Sequence, residues 1–248
     1  MVITRSHNPL LLVLGLVRLL IVLGLTICVV PAIAITRLCN RNLPFTCARV
    51  WARLILLGIG VHQTRQGTAA NWDTRSVIIC NHLGYLDIPV ILVSLQIPFC
   101  FIADSELFRV PLLGLAMRLS GHLPIWRTGH KRIQKTMQDA ADLVRQDLPV
   151  VIFPEGGINR EEDRDGYCRV LFGFSRIALD AGAKVYQVTL RGTGEAQRNF
   201  LRFCKRTSSI LHEQTITLPE TDTRESRQAL ASLVDERSRA AMAVLAAK

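Results

Sequence analysis

Short apolar runs separated by helix-length segments fill the sequence from Ser76 onward, and this alternation limits the fold more than any other feature. Each run has the length of one buried strand. Strands that alternate with helices in this way form a largely parallel sheet. We therefore predict an α/β fold, with a mostly parallel sheet flanked by helices. The expected strands are 76–80, 99–102, 122–125, 150–153, 184–190 and 215–218, and the expected helices are 86–95, 111–120, 130–146, 172–181 and 223–246.

The start of the chain is of a different kind. Residues 10–36 are apolar apart from Arg18, a stretch long enough to span or deeply enter a bilayer. A secretory signal is the competing interpretation, because Arg5 precedes the run and Ala32-Ile33-Ala34 resembles a cleavage site. The run is longer than the apolar part of such signals, so we favour a membrane anchor.

A second N-terminal helix is predicted over residues 44–60. Two arginines share one of its faces and three apolar residues share another: Arg49 and Arg53, and Val50, Leu54 and Leu57. The pattern fits an interfacial helix in the membrane plane and an amphipathic helix packed on the domain equally well. We predict two parts, residues 1–62 as membrane anchor and interfacial helix and residues 63–248 as the functional domain.

Positive charge is concentrated in the same region. The whole chain has a net charge of +10, and seven arginines precede its first acidic residue, Asp73. These arginines alternate with Leu, Ile and Val rather than with stacking aromatics, which favours anionic lipid headgroups over nucleic acid. More arginines follow the apolar run than precede it, so we expect the body on the cytoplasmic face of the inner (plasma) membrane.

The seven cysteines are an odd number, with no C-x-x-C pair and no histidine at metal-ligand spacing. This pattern predicts neither a disulfide framework nor a zinc site. We expect reduced, mostly buried thiols in a cytosolic compartment. No metal and no cofactor are expected.

Ligands of open α/β sheets gather beyond the carboxyl ends of the strands, and two such segments carry reactive side chains. The first is Asn81-His82-Leu83-Gly84-Tyr85-Leu86-Asp87, where Asp87 can hold one ring nitrogen of His82 while the other takes a proton. A capping or core pair is the commoner use of such a spacing. The second is Phe153-Pro154-Glu155-Gly156-Gly157, a turn whose glycines allow close backbone approach to Glu155.

Together the two segments resemble the 1-acyl-glycerol-3-phosphate acyltransferase family, the membrane-associated lysophospholipid acyltransferases. That family carries an N-H-x-x-x-x-D block and then an F-P-E-G block, and both match here. The intervening region is also similar, with Pro111, Gly114, Gly121 and Arg127 in place. The resemblance covers about residues 76–195 and identifies 63–248 as an acyltransferase domain.

The resemblance implies direct transfer of an acyl chain from acyl-CoA or acyl-carrier protein to a lysolipid hydroxyl. His82 would be the general base and Asp87 would orient it. A covalent route through Cys80 is the less favoured alternative, because a strand cysteine is most simply a core residue. The substrate-binding residues would be Asn81, Asp104, Arg127, Pro154, Glu155, Gly156, Gly157 and Arg160.

Two departures from the family bear on the acceptor. Asp104 stands where the family usually has a lysine after F-x-A, and Gly157-Ile158 stands where T-R usually follows F-P-E-G. Four carboxylates follow Arg160 within residues 161–165, a run also typical of a solvated loop. The expected acceptor is lysophosphatidic acid, the commonest in the family, which would give phosphatidic acid. Because like charges oppose binding, lyso-ornithine lipid or another non-phosphatidate lysolipid is the alternative acceptor. A catalytically inactive, lipid-binding relative is the alternative of another class.

Overall fold

The described residues form a seven-stranded sheet with helices on both faces, which confirms the predicted α/β class. The computed structural model describes residues 9–40, 42–66, 72–158, 171–198, 206–219 and 223–246. The helices are α1 (Pro9–Cys39), α2 (Leu43–Ile59), α3 (Asp87–Ser94), α4 (Leu113–Leu119), α5 (His130–Arg145), α6 (Gly173–Ala181), α7 (Thr193–Arg198) and α8 (Arg224–Ala246). The strands are β1 (Val61–Gln66), β2 (Ser76–Cys80), β3 (Cys100–Asp104), β4 (Leu123–Ile125), β5 (Val150–Ile152), β6 (Lys184–Arg191) and β7 (Arg206–Ile216).

The sheet has the strand order β1-β7-β6-β2-β5-β3-β4. Neighbouring strands are parallel except for β6 and β7, which are antiparallel. In the middle, β2 pairs with β6 through Cys80 and Val188 and with β5 through Ile79 and Ile152. Consequently the chain leaves β6, β2, β5, β3 and β4 along one edge of the sheet, which we call the carboxyl edge.

Alternate side chains of the central strands fill two cores. Ile78 and Cys80 of β2 pack with α2 and α3, whereas Val77 and Ile79 pack with α5, α6 and α8 on the other face. Fully burying one such side chain contributes about 1.5–3 kcal/mol. Burial on both faces explains the continuous β-branched run of this strand and holds its carboxyl end firmly in the sheet.

Three elements differ from the sequence prediction. The expected strand 215–218 overlaps only the last two residues of β7, which begins at Arg206. β1 and α7 are present in the structure but were not predicted. β1 and the first half of β7 lack a long apolar run, and they pair with each other from Val61 with Arg206 to Gln66 with Leu211. β1 also crosses the predicted boundary between residues 62 and 63, and the two-part division remains a prediction.

The two N-terminal helices pack against each other and against the sheet. Trp51 Nε1 of α2 donates a hydrogen bond to Thr26 Oγ1 of α1 at 3.2 Å. α2 also buries Ala52, Ile55 and Leu56 in the core that it shares with α3. One face of α2 therefore packs on the domain, as the amphipathic alternative expects.

The outer surface of this helix pair is apolar. Within α1, Gly15–Cys39 is long and apolar enough to cross a membrane. Arg18 is buried and lies beside Gly60, at the carboxyl end of α2, where the helix dipole favours a cation. A continuous exposed apolar surface is typical of membrane or partner contact. Its large exposed side chains are Val13, Leu16, Val17, Leu19, Leu20, Ile21, Leu23, Ile27, Ile35 and Leu38 of α1 and Leu43, Val50, Leu54 and Leu57 of α2.

Candidate active site

The two predicted motifs meet at the carboxyl edge. Residues 81–86, which we call the histidine loop, follow β2, and residues 153–157, which we call the glutamate turn, follow β5. Because β2 and β5 are neighbouring parallel strands, the two segments leave the sheet side by side. The backbone N–H of His82 points at Glu155 Oε2, with 3.4 Å between nitrogen and oxygen.

Asp87 is the fixed point of the histidine loop. It is the first residue of α3, and its side chain is 0% exposed. Its Oδ2 atom lies 2.7 Å from His82 Nδ1 and accepts hydrogen bonds from the backbone N–H groups of Leu83 (2.7 Å) and Gly84 (2.9 Å). A helix N-terminus also favours negative charge. These contacts hold a carboxylate in one orientation against the imidazole.

The imidazole of His82 is oriented and reachable. With Nδ1–H donating to Asp87, the lone pair of the neutral ring lies on Nε2. The ring stacks on Phe153, with a centroid separation of 4.1 Å and an angle of 18° between the planes. Its side chain is 16% exposed. A histidine held in this way can take a proton from a hydroxyl group at Nε2.

The glutamate turn holds the half-buried carboxyl group of Glu155. Gly156 has a φ of +70°, which glycine adopts without a steric penalty, and its N–H donates to the Phe153 carbonyl at 3.3 Å. Burial raises the pKa of Glu155 to about 8; the hydrogen bond from the His82 backbone lowers it, and the nearby carboxylates of Asp87 and Asp235 raise it. Glu155 is therefore mainly neutral at pH 7 and has a proton to donate.

Asn81 lies at the site, but its side chain makes structural hydrogen bonds. Its amide donates to the Leu190 carbonyl (2.9 Å) and accepts from the Leu190 N–H (2.6 Å). Asn81 is buried, and both ends of its amide join the end of β2 to β6. This arrangement favours a role in positioning His82 over the predicted contact with substrate.

Asp104 and Arg127, both predicted to bind substrate, contact each other. Asp104 is the last residue of β3, and Arg127 follows the paired strand β4. Arg127 Nε and Nη2 each lie 2.9 Å from Asp104 Oδ2. Burial acts to raise the pKa of Asp104, but the hydrogen bond from the Glu106 backbone and the Arg127 guanidinium outweigh it and lower the pKa. The positive charge of Arg127 is thus already balanced at this end of the edge.

The remaining predicted binding residues are divided between the turn and the segment beyond it. Pro154 is buried, and its carbonyl accepts the N–H of Leu171 at 2.6 Å. Gly157 is exposed, with open space where a Cβ would lie. Arg160 and the acidic run 161–165 lie outside the described residues.

Cys80 is a core residue of β2. Burial, with Asp87 and Glu155 acting in the same direction, raises the pKa of its thiol well above the ordinary value. A thiol without thiolate character is a poor nucleophile, so this environment opposes the covalent route. Across the described ranges, no three His, Cys, Asp or Glu side chains are grouped as metal ligands. The expectation of a metal-free site remains a prediction.

Helix α7, which the prediction lacks, lies directly against the histidine loop. The N–H of Tyr85 donates to Gln197 Oε1 at 2.5 Å. A Cβ atom on Gly194 would lie 2.9 Å from the Leu83 carbonyl oxygen, and one on Gly84 would collide with Gln197. A glycine is therefore needed at Gly194, which meets backbone, whereas the clash at Gly84 is with the end of a flexible side chain. The glycines in Arg191-Gly192-Thr193-Gly194 were the available signal in the sequence.

Comparison with known proteins places this sequence among acyltransferases. A 1-acyl-sn-glycerol-3-phosphate acyltransferase from Chlamydomonas reinhardtii is 36% identical over 122 residues, 49% of this chain and 36% of the relative. A chloroplastic protein of that name from Arabidopsis thaliana is 30% identical over 123 residues, 50% of this chain and 33% of the relative. The chain thus matches about a third of the length of these two relatives.

A solved structure extends the likeness to the whole fold. The 1-acyl-sn-glycerophosphate (LPA) acyltransferase PlsC from Thermotoga maritima aligns with a TM-score of 0.70, over 94% of this chain and 98% of that one. At 14% identity this likeness shows the fold alone. The Acyltransferase family model matches residues 59–191, which contain the histidine loop and the glutamate turn. The chain therefore belongs to the Acyltransferase family.

Proposed function

We propose that the chain moves an acyl group from acyl-CoA or acyl-carrier protein to the free hydroxyl of 1-acyl-sn-glycerol 3-phosphate, giving phosphatidic acid. The observation that carries this proposal is the buried Asp87 carboxylate held 2.7 Å from His82 Nδ1, which leaves Nε2 as a base at the carboxyl edge. The names of the Chlamydomonas and Arabidopsis relatives support the acceptor.

The reaction balances with His82 as base and then as acid. Nε2 takes the proton of the acceptor hydroxyl as its oxygen attacks the thioester carbonyl. Asp87 stabilises the imidazolium that forms. The tetrahedral intermediate then collapses, the C–S bond breaks, and the imidazolium returns the proton to the leaving thiolate. The products are an ester and a free thiol, and the enzyme ends in its starting state.

Glu155 supplies a hydrogen-bond donor for the oxyanion of this intermediate. The backbone N–H groups of Leu83 and Gly84 are occupied by Asp87, and that of Tyr85 is occupied by Gln197. The half-buried Glu155 carboxyl, whose pKa is raised to about 8, can donate where these groups cannot. The glutamate turn therefore faces the thioester, and the histidine loop faces the acceptor hydroxyl.

The test is acyl transfer by the full chain in mixed micelles, with acyl-CoA and 1-acyl-sn-glycerol 3-phosphate. His82→Ala should lower kcat by about 10²–10⁴, the usual contribution of a general base, whereas exposed His130→Ala on α5 should leave it unchanged. An active His82→Ala protein would remove the mechanism. No turnover by folded wild type with any acyl donor would favour the lipid-binding, non-catalytic alternative.

A second candidate acceptor is an amine-bearing lysolipid. The specific observation is the Asp104–Arg127 pair, which balances the charge of a cation predicted to bind substrate. A carboxylate at this position attracts an ammonium group and repels a phosphate. Comparing kcat/KM for 1-acyl-sn-glycerol 3-phosphate and lyso-ornithine lipid in wild type decides between the two acceptors.

We infer that the chain works at the cytoplasmic face of the membrane and is held there by α1 and the outer face of α2. The exposed apolar side chains of these helices and the arginines around them support this location. Leu54→Glu with Leu57→Glu should reduce binding to anionic vesicles. The matched control, Gln134→Glu with Gln138→Glu on the exposed side of α5, should not. Equal binding by the two double variants would contradict the inferred surface.

A further inference from the structure

The loop that leaves β6 carries two buried polar groups with spare hydrogen-bonding capacity. β6 ends at Arg191, Gly192 has a φ of +88°, and Thr193 begins α7. Within the part of the chain that the structure describes, neither Arg191 Nη1 nor Thr193 Oγ1 has a hydrogen-bond partner, although both atoms are buried. Thr193 as a whole is 0% exposed. Buried donors without partners are costly, so an acceptor that reached these two atoms would stabilise the loop.

The loop also lies beside the candidate base. Asn81 is joined to Leu190 by two hydrogen bonds, and the register of Cys80 with Val188 places His82 opposite Leu190, so Arg191 lies one residue further along the neighbouring parallel strand. Adjacent strands are about 4.8 Å apart. The backbone of Gly194 then packs on the histidine loop, which ties the two segments together.

We propose that Arg191 and Thr193 bind a phosphate ester of a substrate at this edge. A guanidinium N–H and a hydroxyl are donors that a phosphate oxygen readily accepts, and the half-buried Arg191, whose Nη1 atom is buried, is stabilised by an anion. Arg191 contrasts here with Arg127, whose guanidinium already contacts Asp104. The inference rests on the proposed acyl transfer.

The dimensions suit the proposed acceptor. In 1-acyl-sn-glycerol 3-phosphate, two carbon atoms separate the free hydroxyl oxygen from the phosphate ester oxygen. A phosphate at the end of β6 therefore leaves the hydroxyl within reach of a base at the end of β2. The donor thioester carriers also contain phosphate esters, so the experiment must separate acceptor from donor.

The experiment measures KM for acceptor and donor separately, with the full chain in mixed micelles. Arg191→Gln should raise the KM for 1-acyl-sn-glycerol 3-phosphate by about tenfold or more, because a charge-assisted hydrogen bond is lost. Arg191→Lys should recover part of the loss, and Thr193→Val, which removes only the hydroxyl, should have a smaller effect in the same direction. Arg75→Gln, with the same charge change at the opposite edge before β2, is the matched control.

Each outcome decides a separate point. A rise confined to the acceptor KM supports a headgroup site, and a rise confined to the acyl-CoA KM supports the same anion site with the donor as its source. Unchanged KM values for both substrates in folded, active Arg191→Gln would overturn the inference and leave the loop filled by water. Absence of transfer in wild type rejects the proposed function instead. Thermal unfolding of every variant identifies those that fail to fold.

Discussion

Replacing Asp87 by asparagine tests the site at its most buried group. One oxygen of the carboxylate, Oδ2, makes three hydrogen bonds, to His82 Nδ1 and to the N–H groups of Leu83 and Gly84. Its other oxygen, Oδ1, is buried without a hydrogen-bond partner among the described residues. The amide oxygen of asparagine can take the place of Oδ2 and keep the loop in its conformation. The amide nitrogen then occupies the place of Oδ1.

The cost to stability and the cost to rate can be worked out separately. A buried NH₂ group without an acceptor costs about 1–3 kcal/mol, which is smaller than the roughly 5–15 kcal/mol that hold a domain folded. The protein should therefore still fold. The rate suffers more, because a neutral amide does not stabilise the imidazolium. We expect kcat to fall by about 10²–10⁴.

The assay follows thiol release from acyl-CoA and formation of the acylated lipid in parallel, with the thermal midpoint measured on the same samples. Asp180→Asn is the matched control, because Asp180 makes an exposed ion pair with Arg176 on α6, away from the carboxyl edge. Its rate should match that of wild type. A folded Asp87→Asn protein that keeps kcat within about twofold of wild type would refute the reasoning.

Three further predictions use other parts of the edge. The pKa of Glu155 rises to about 8 on folding, so the stability that its neutral form contributes is complete below its ordinary pKa of 4.5 and is lost as the pH rises through 8. Glu155→Gln should remove this decline in thermal midpoint while keeping a donor for the oxyanion, so an inactive Glu155→Gln enzyme would contradict that role. Asp104→Asn should raise kcat/KM for a phosphate-bearing acceptor, relative to kcat/KM for an amine-bearing one, by roughly two- to fivefold, the range for an exposed ion pair. An unchanged ratio would show that the Asp104–Arg127 pair does not select between headgroups. Gly194→Ala should lower the thermal midpoint, because its Cβ meets a backbone oxygen of the histidine loop, whereas Gly24→Ala in α1 has open space and should not; equal midpoints would contradict the close contact.

The parts of the site that follow from local rules were predictable. A strand buried on both faces has to be a continuous apolar run, and ligands gather where such strands end. These two rules place His82 and Glu155 directly after buried strands, whereas the pairing of those two strands comes from the structure. Asp87 lies only five residues after His82, so a single turn of backbone brings the two side chains together.

Other parts depend on contacts that sequence spacing does not encode. Asn81 bonds to Leu190, 109 residues later, and only the register of β2 with β6 gives it a structural role. The pairing of Asp104 with Arg127 likewise requires β3 beside β4. β1 and the first half of β7 were not predicted because they lack a long apolar run and pair with each other.

The two carboxyl groups of the site have different surroundings, and the proposed reaction uses that difference. Asp87 has three donors and a helix N-terminus, which suit a carboxylate, whereas Glu155 has burial and one long hydrogen bond, which suit a neutral acid. One negative charge beside His82 balances the imidazolium that forms when the hydroxyl loses its proton. A second negative charge at Glu155 would instead repel the oxyanion that the same step creates. Environments that separate two carboxyl groups in this way assign them different tasks, one to the base and one to the oxyanion.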